Sequence, residues 1–196
     1  MGEIKPHLIR YWLHSPEKSE NPETFGAKVN EICALYLAST NLMEENTCVV
    51  STNEMTGVQA LEHKYPDKRP LPGQTAKMEF EYIRHGTTSL IGFFEAATGK
   101  IFPPYLNETR VESDFCEAVR RVVETAPEKN WSFVCDGLNT HKSEALVKYA
   151  AKACGIDMNL GQKGKSSILK SLQSREEFLL APSHRIRFVY TPKHCS

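Results

Sequence analysis

Asp136 directly follows Trp131-Ser132-Phe133-Val134-Cys135, an almost wholly apolar run. Such a run reads as a central strand covered on both faces. A bare carboxylate at its end is costly unless it is paired or binds a cation. In open α/β sheets that edge is where ligands bind, although an Asp capping the next turn or helix fits the same position. The residues after it, Gly137-Leu138-Asn139-Thr140-His141-Lys142, are mostly small or polar. A second polar segment, Asn53 to Gly57, follows the β-branched run Thr47–Thr52. Lys163, Lys165, Lys170 and Arg175 lie in one basic stretch, and His184, Arg185, Arg187, Lys193 and His194 follow it. These groups suit non-specific contact with phosphates, or a solvated surface balanced by Glu176 and Glu177. His85 and His141 fit either a place beside such a site or a hydrogen-bonded structural role.

The elements that must position these groups follow from periodicity. Ile4 to Leu13 mixes apolar and basic residues and ends in a Ser15-Pro16-Glu17 turn. Phe25, Val29, Ile32, Cys33, Tyr36 and Leu37 recur at helical spacing after a cap-like Asn21-Pro22-Glu23. Thr47–Thr52 predicts a strand, Phe80–Arg84 a second, and Ser89–Ala96 a third, with a polar loop over 64–77. The three lie close in sequence, so an antiparallel meander is expected. Helices are expected over 112–125, with Ser113 as its cap, and over 143–154, stopped by Gly155. A basic, irregular connection with a helix over 167–180 leads to a last strand, Ile186–Tyr190. The order predicts a ribonuclease-H-like α/β fold, a mixed sheet with flanking helices.

The chain has 196 residues, enough for one ordinary domain. Its 24 basic and 24 acidic residues cancel, so any nucleic-acid contact has to come from local clustering rather than net charge. The apolar runs are too short and too charged to span a membrane, and no signal-peptide pattern opens the chain. Six scattered cysteines without a CxxC pair predict free, mostly buried thiols in a cytoplasmic protein.

Thr52-Asn53-Glu54-Met55-Thr56-Gly57-Val58-Gln59-Ala60 and Asp136-Gly137-Leu138-Asn139-Thr140-His141-Lys142 resemble the two catalytic segments of mariner-superfamily DDE transposases from bacterial insertion sequences. Tyr82-Ile83-Arg84-His85-Gly86-Thr87 and Arg187-Phe188-Val189-Tyr190-Thr191-Pro192-Lys193-His194 are similar to two further segments, in the same order. The resemblance implies DNA cleavage and strand transfer by two divalent ions, Mg²⁺ or Mn²⁺, held by two Asp and a third acid. It places the first acid at position 53 and the second at Asp136. The third would follow Thr191–His194 on a helix.

Three departures bear on activity. Asn53 stands at the first acid position, and an amide brings no charge and cannot bridge two ions. Glu54 is adjacent, but strand alternation sends it to the opposite face. Gly137 replaces the usual Asn. The expectation is therefore an inactive catalytic-domain fragment, cut short at both ends. Residues 1–40 would be the linker and helix left from a lost DNA-binding region, and 41–196 an incomplete core. Asp136 and Asn53 are its candidate catalytic and metal residues, with weak or no metal binding. Lys163, Lys165, Lys193 and His194 are candidate contacts to the DNA backbone. Two alternatives stand beside this reading. One is a non-catalytic module that binds nucleic acid, or that oligomerises with itself or an intact transposase. The other is an active nuclease rebuilt from Asp136, Glu54 and Glu81 or Glu95.

Overall fold

The apolar runs build one mixed sheet, described over residues 15–192 in a computed structural model. The expected segment Ile4–Leu13, with Lys193, His194 and Cys195, lies outside the described residues. Five strands run in the order β3-β2-β1-β4-β5: β1 Thr47–His63, β2 Tyr82–Glu95, β3 Tyr105–Asn107, β4 Asn130–Cys135 and β5 Ile186–Tyr190. The first three are antiparallel neighbours, whereas β1, β4 and β5 run parallel. This is the expected ribonuclease-H-like arrangement, with β4 buried on both faces as its apolar run requires.

The meander differs from expectation in its strands. Phe80–Arg84 and Ser89–Ala96 are not two strands, because β2 runs unbroken through His85-Gly86. Gly86 adopts φ 119°, a conformation open to glycine, and register shifts in β1 absorb the irregularity. The third strand is Tyr105–Asn107 instead. Nor does β1 stop at Thr52. It continues to His63, and its outer half with the first half of β2 forms a long, exposed two-stranded arm.

Three helices cover one face: α4 (Glu112–Val123), α5 (Glu144–Ala153) and α6 (Leu172–Leu180). Phe115, Val119, Val122, Leu146 and Leu179 bury against Trp131, Phe133 and Phe188. Phe133 stacks on Phe188 at 5.3 Å. On the other face α2 (Pro22–Leu37) sets Ile32 on Val134 and Val189, and Tyr36 donates to Ser51 Oγ at 3.1 Å. Cys33 is exposed and Leu37 is 87% exposed, so the inward stripe of α2 is narrower than its periodicity suggested. The short helices α1 (Pro16–Glu20) and α3 (Ser39–Glu44) flank it. Among the five described cysteines, all free, only Cys48 and Cys135 are buried, which is fewer than expected.

Capping differs in two places. Asn21 makes no side-chain cap on α2. Ser113 does not cap α4 either: Val111 is the cap residue, and the Asp114 carboxylate reaches back to accept the Val111 amide at 2.9 Å. Asp114 also accepts from Thr109 Oγ1 at 2.8 Å and Asn107 Nδ2 at 2.8 Å. The expected 167–180 helix divides into a 3₁₀ turn, Ser167–Lys170, and α6, capped by Ser171.

Burial alone would raise the Asp114 carboxyl, but its hydrogen bonds hold it below the usual range. A depressed carboxylate contributes stability fully above its unfolded pKa and loses it as pH falls through the folded value. Acid titration below about pH 4 should therefore destabilise the chain. Asp114→Asn should flatten that limb, as urea melts at successive pH values would show. An unchanged acid limb would refute this role for Asp114.

Candidate functional site

Strands β1 and β4 bring the two motif segments together. Their parallel register pairs Ser51 with Val134, and continuing it by two residues sets Asn53 level with Asp136. Asn53 is exposed, on the α2 side of the sheet with Ser51 and Met55. Its Oδ1 accepts the Glu54 amide at 3.0 Å.

Glu54 points the other way, as alternation requires. Its side chain is 4% exposed, and Oε1 accepts from His141 Nε2 at 2.9 Å. Arg110 Nη1 lies 3.1 Å from Oε2, an ion pair without hydrogen-bond geometry. The other ring nitrogen of His141 meets Asp136, with Nδ1 2.7 Å from Oδ1 and 3.0 Å from the Asp136 carbonyl. His141 is 1% exposed and lies 3.9 Å from the Phe115 ring centroid. Tyr190 donates to the His141 carbonyl at 2.9 Å, fixing the turn beneath it.

Both imidazole nitrogens therefore face carboxylates, and both carry a proton. Burial pushes the His141 pKa down, but Asp136, the Cys135 thiol and Glu54 outweigh it and raise it to about 12. Burial raises the Asp136 carboxyl, and His141, the Leu138 amide and Arg110 together hold it low. The Asp136 Oδ1 takes the His141 bond and the Leu138 amide at 3.2 Å, so Oδ2 is the oxygen left to face solvent.

The donor set does not fit a pair of divalent ions. Asp136 offers one open oxygen, and the Asn53 oxygen already accepts a backbone bond. Among the described residues no group of three His, Cys, Asp or Glu side chains is placed to hold a metal. The acid expected after Thr191–His194 is not among them. Nor do Glu81 and Glu95 complete a rebuilt site. Glu81 pairs with Lys64 at 2.7 Å far out on the arm, and Glu95 lies opposite Val50, bonded to Thr98. His85 also lies on the arm, 2.6 Å from Glu62.

Several expected phosphate contacts are committed to internal bonds instead. Arg175 is buried and donates to the Lys142 and Leu169 carbonyls. Arg185 clamps the Pro127, Lys129 and Ala153 carbonyls. Arg187 pairs with Glu31 at 2.9 Å, and His184 packs on Phe178. Lys163 is exposed but bonds Glu112 at 3.2 Å, while Lys165 and Lys170 remain open. Of the two histidines that the sequence leaves with two readings, His141 is the one that lies at the site. Its signal was a histidine five places after the strand-end acid, but the partner that gives it meaning is 87 residues away.

Comparison with known proteins bears on this geometry. Residues 54–196 match the family model described as DDE superfamily endonuclease. No curated protein matches the chain. Two solved structures of Mos1 transposase are similar to it. The Mos1 mariner paired end complex with Mn is 19% identical, with a TM-score of 0.43, over 78% of this chain and 45% of that one. The paired-end complex with left transposon end is 18% identical, with a TM-score of 0.45, over 94% of this chain and 51% of that one. The chain thus spans about half the length of these structures.

Proposed function

From the premise that this chain belongs to the DDE superfamily endonucleases, we propose that it is the catalytic-core fold of a mariner-superfamily transposase from a bacterial insertion sequence. As it stands, it holds DNA without cutting it. The observation that carries this reading is the parallel register of β1 and β4, which pairs Ser51 with Val134 and, continued by two residues, sets Asn53 level with Asp136 just past the end of β4. That is where such enzymes need two carboxylates, and only one is present. A full set of acids would hold Mg²⁺ or Mn²⁺, which would activate an oxygen nucleophile from water or a hydroxyl and stabilise the leaving oxygen. No step through such an ion follows for this chain. Residues up to 40 act as linker and helix, and 41–196 act as the core. Lys163 and Lys165, with Lys193 and His194, contribute backbone contacts. The free thiols suit a reducing cytoplasm, and among the described residues no helix is long and apolar enough to cross a membrane.

The test is binding of a fluorescent duplex by anisotropy, with EDTA present and salt varied. The expected result is metal-independent binding that weakens steeply as salt rises. Absence of binding at low salt would overturn the DNA-holding role. The second reading, an oligomerising module, is favoured by an exposed apolar sheet face beside Asn53, where Phe94 is 44% and Ile101 72% exposed. Analytical ultracentrifugation separates the two, because this reading requires dimers at micromolar concentration without DNA.

A further inference from the structure

Arg110 lies between β3 and α4, in a loop that Asp114 fixes by accepting from the Val111 amide and Thr109 Oγ1. Its side chain is 40% exposed and meets one acid, Glu54, at 3.1 Å and outside hydrogen-bond geometry. Among the described residues no group accepts a hydrogen bond from its guanidinium. Arg175, Arg185 and Arg187 are unlike it, because carbonyls or an acid already take their donors. Arg110 is therefore pinned on one side and open on the other. A guanidinium presents a planar fork of donors that matches two oxygens of a phosphate.

The charges at this edge decide what it can receive. The carboxylates of Glu54 and Asp136 are balanced by the cations His141 and Arg110, linked in the chain Arg110–Glu54–His141–Asp136. Burial raises the Asp136 carboxyl, and His141, the Leu138 amide and Arg110 together hold it low, so the Arg110 charge reaches that acid too. An Asp at position 53 would tip the edge to net negative, and an approaching phosphate would then need a metal ion to offset the repulsion. Asn53 adds no charge, so the edge stays balanced without metal. A single exposed guanidinium gives a free phosphate little. A polyanion already held through open cations such as Lys165 and Lys170 delivers its phosphates at high effective concentration.

We propose that Asn53 turns this edge into a metal-independent phosphodiester seat, in which the Arg110 guanidinium grips a DNA phosphate beside Asp136. This rests on the DNA-holding reading and deepens it by assigning one contact to a named residue, with protein charge standing where a metal would otherwise be needed.

The experiment measures duplex affinity against salt, in EDTA, for the full chain and for Arg110→Gln, Arg110→Lys, Asn53→Asp and Lys152→Gln. Arg110→Gln should bind about tenfold more weakly at low salt, with a log–log salt slope reduced by about 0.9. Arg110→Lys should keep the slope and lose part of the affinity, because an ammonium carries the charge without the fork. Asn53→Asp leaves Arg110 untouched and should weaken binding about fivefold by repulsion, and added Mn²⁺ should restore it. Lys152→Gln removes the same charge from an exposed position at the far end of α5 and should bind like the parent. A parent that binds DNA with Arg110→Gln unchanged would overturn this proposal while leaving the DNA-holding reading intact, and so would an equal loss in Lys152→Gln. If urea melts show Arg110→Gln to be unfolded, Asn53→Asp decides alone, and undiminished binding by it in EDTA would overturn the seat. Inorganic phosphate replacing chloride at equal ionic strength should leave the Arg110-dependent difference in place. Its disappearance would mean that the seat takes free phosphate, and the DNA assignment would fall. A parent that binds no DNA would overturn both readings.

Discussion

Replacing His141 by alanine is expected to destabilise the chain by about 3 to 5 kcal/mol, the cost of leaving a buried charge without its partner. The side chain is 1% exposed and its Nε2 is 2.9 Å from a Glu54 carboxylate that is itself 4% exposed. Truncation would leave Glu54 with Arg110 alone, at 3.1 Å and outside hydrogen-bond geometry. It would also remove the ring packed on Phe115. Set against a total of roughly 5 to 15 kcal/mol for a domain, this is a large share. Urea melts of His141→Ala, Glu54→Ala and the double variant measure it. The double variant should cost less than the sum of the singles by about 1 to 3 kcal/mol, since each single leaves the other group stranded. A single-variant loss below about 1 kcal/mol would show that the imidazolium does not hold these carboxylates.

The second large effect concerns Asn53. Asn53→Asp sets a carboxylate level with Asp136, two like charges at one edge of the sheet. Without metal the variant should melt below the parent, by about 1 kcal/mol. With Mn²⁺ at about a hundredfold over its dissociation constant, it should gain about 2.7 kcal/mol by linkage. The parent should show no saturable metal dependence, because its amide oxygen is already bonded to the Glu54 backbone. Thermal melts across a Mn²⁺ series read both. A parent stabilised as strongly as the variant would mean that Asn53 and Asp136 already hold an ion.

The parts of the fold that were legible in the sequence were those whose burial writes itself into composition. Trp131–Cys135 and Ile186–Tyr190 are apolar runs because both faces of β4 and β5 are covered, and both were read with almost the bounds observed. The outer half of β1 was illegible for the opposite reason. From Met55 to His63 it is largely exposed, so the strand carries no alternation to read. His85-Gly86 looked like a break because glycine usually ends a strand, whereas here it lets β2 continue beside the irregular register of β1. At the site, Asp136 was visible from its place at the end of an apolar strand, and position 53 only through family resemblance. The Glu54–His141–Arg110 linkage joins three distant segments, and no local spacing encodes it. Charge was the least legible property. Arg175, Arg185 and Arg187 read as open cations, yet each turned out to hold carbonyls or an acid inside the molecule.

The most direct test of the account is nicking of supercoiled plasmid by the unaltered chain in Mg²⁺ and in Mn²⁺, beside Asp136→Ala. The account predicts DNA that is bound but intact, indistinguishable between the two proteins. Metal-dependent nicking that disappears in Asp136→Ala would contradict it, and would mean that this edge carries a working active site despite Asn53.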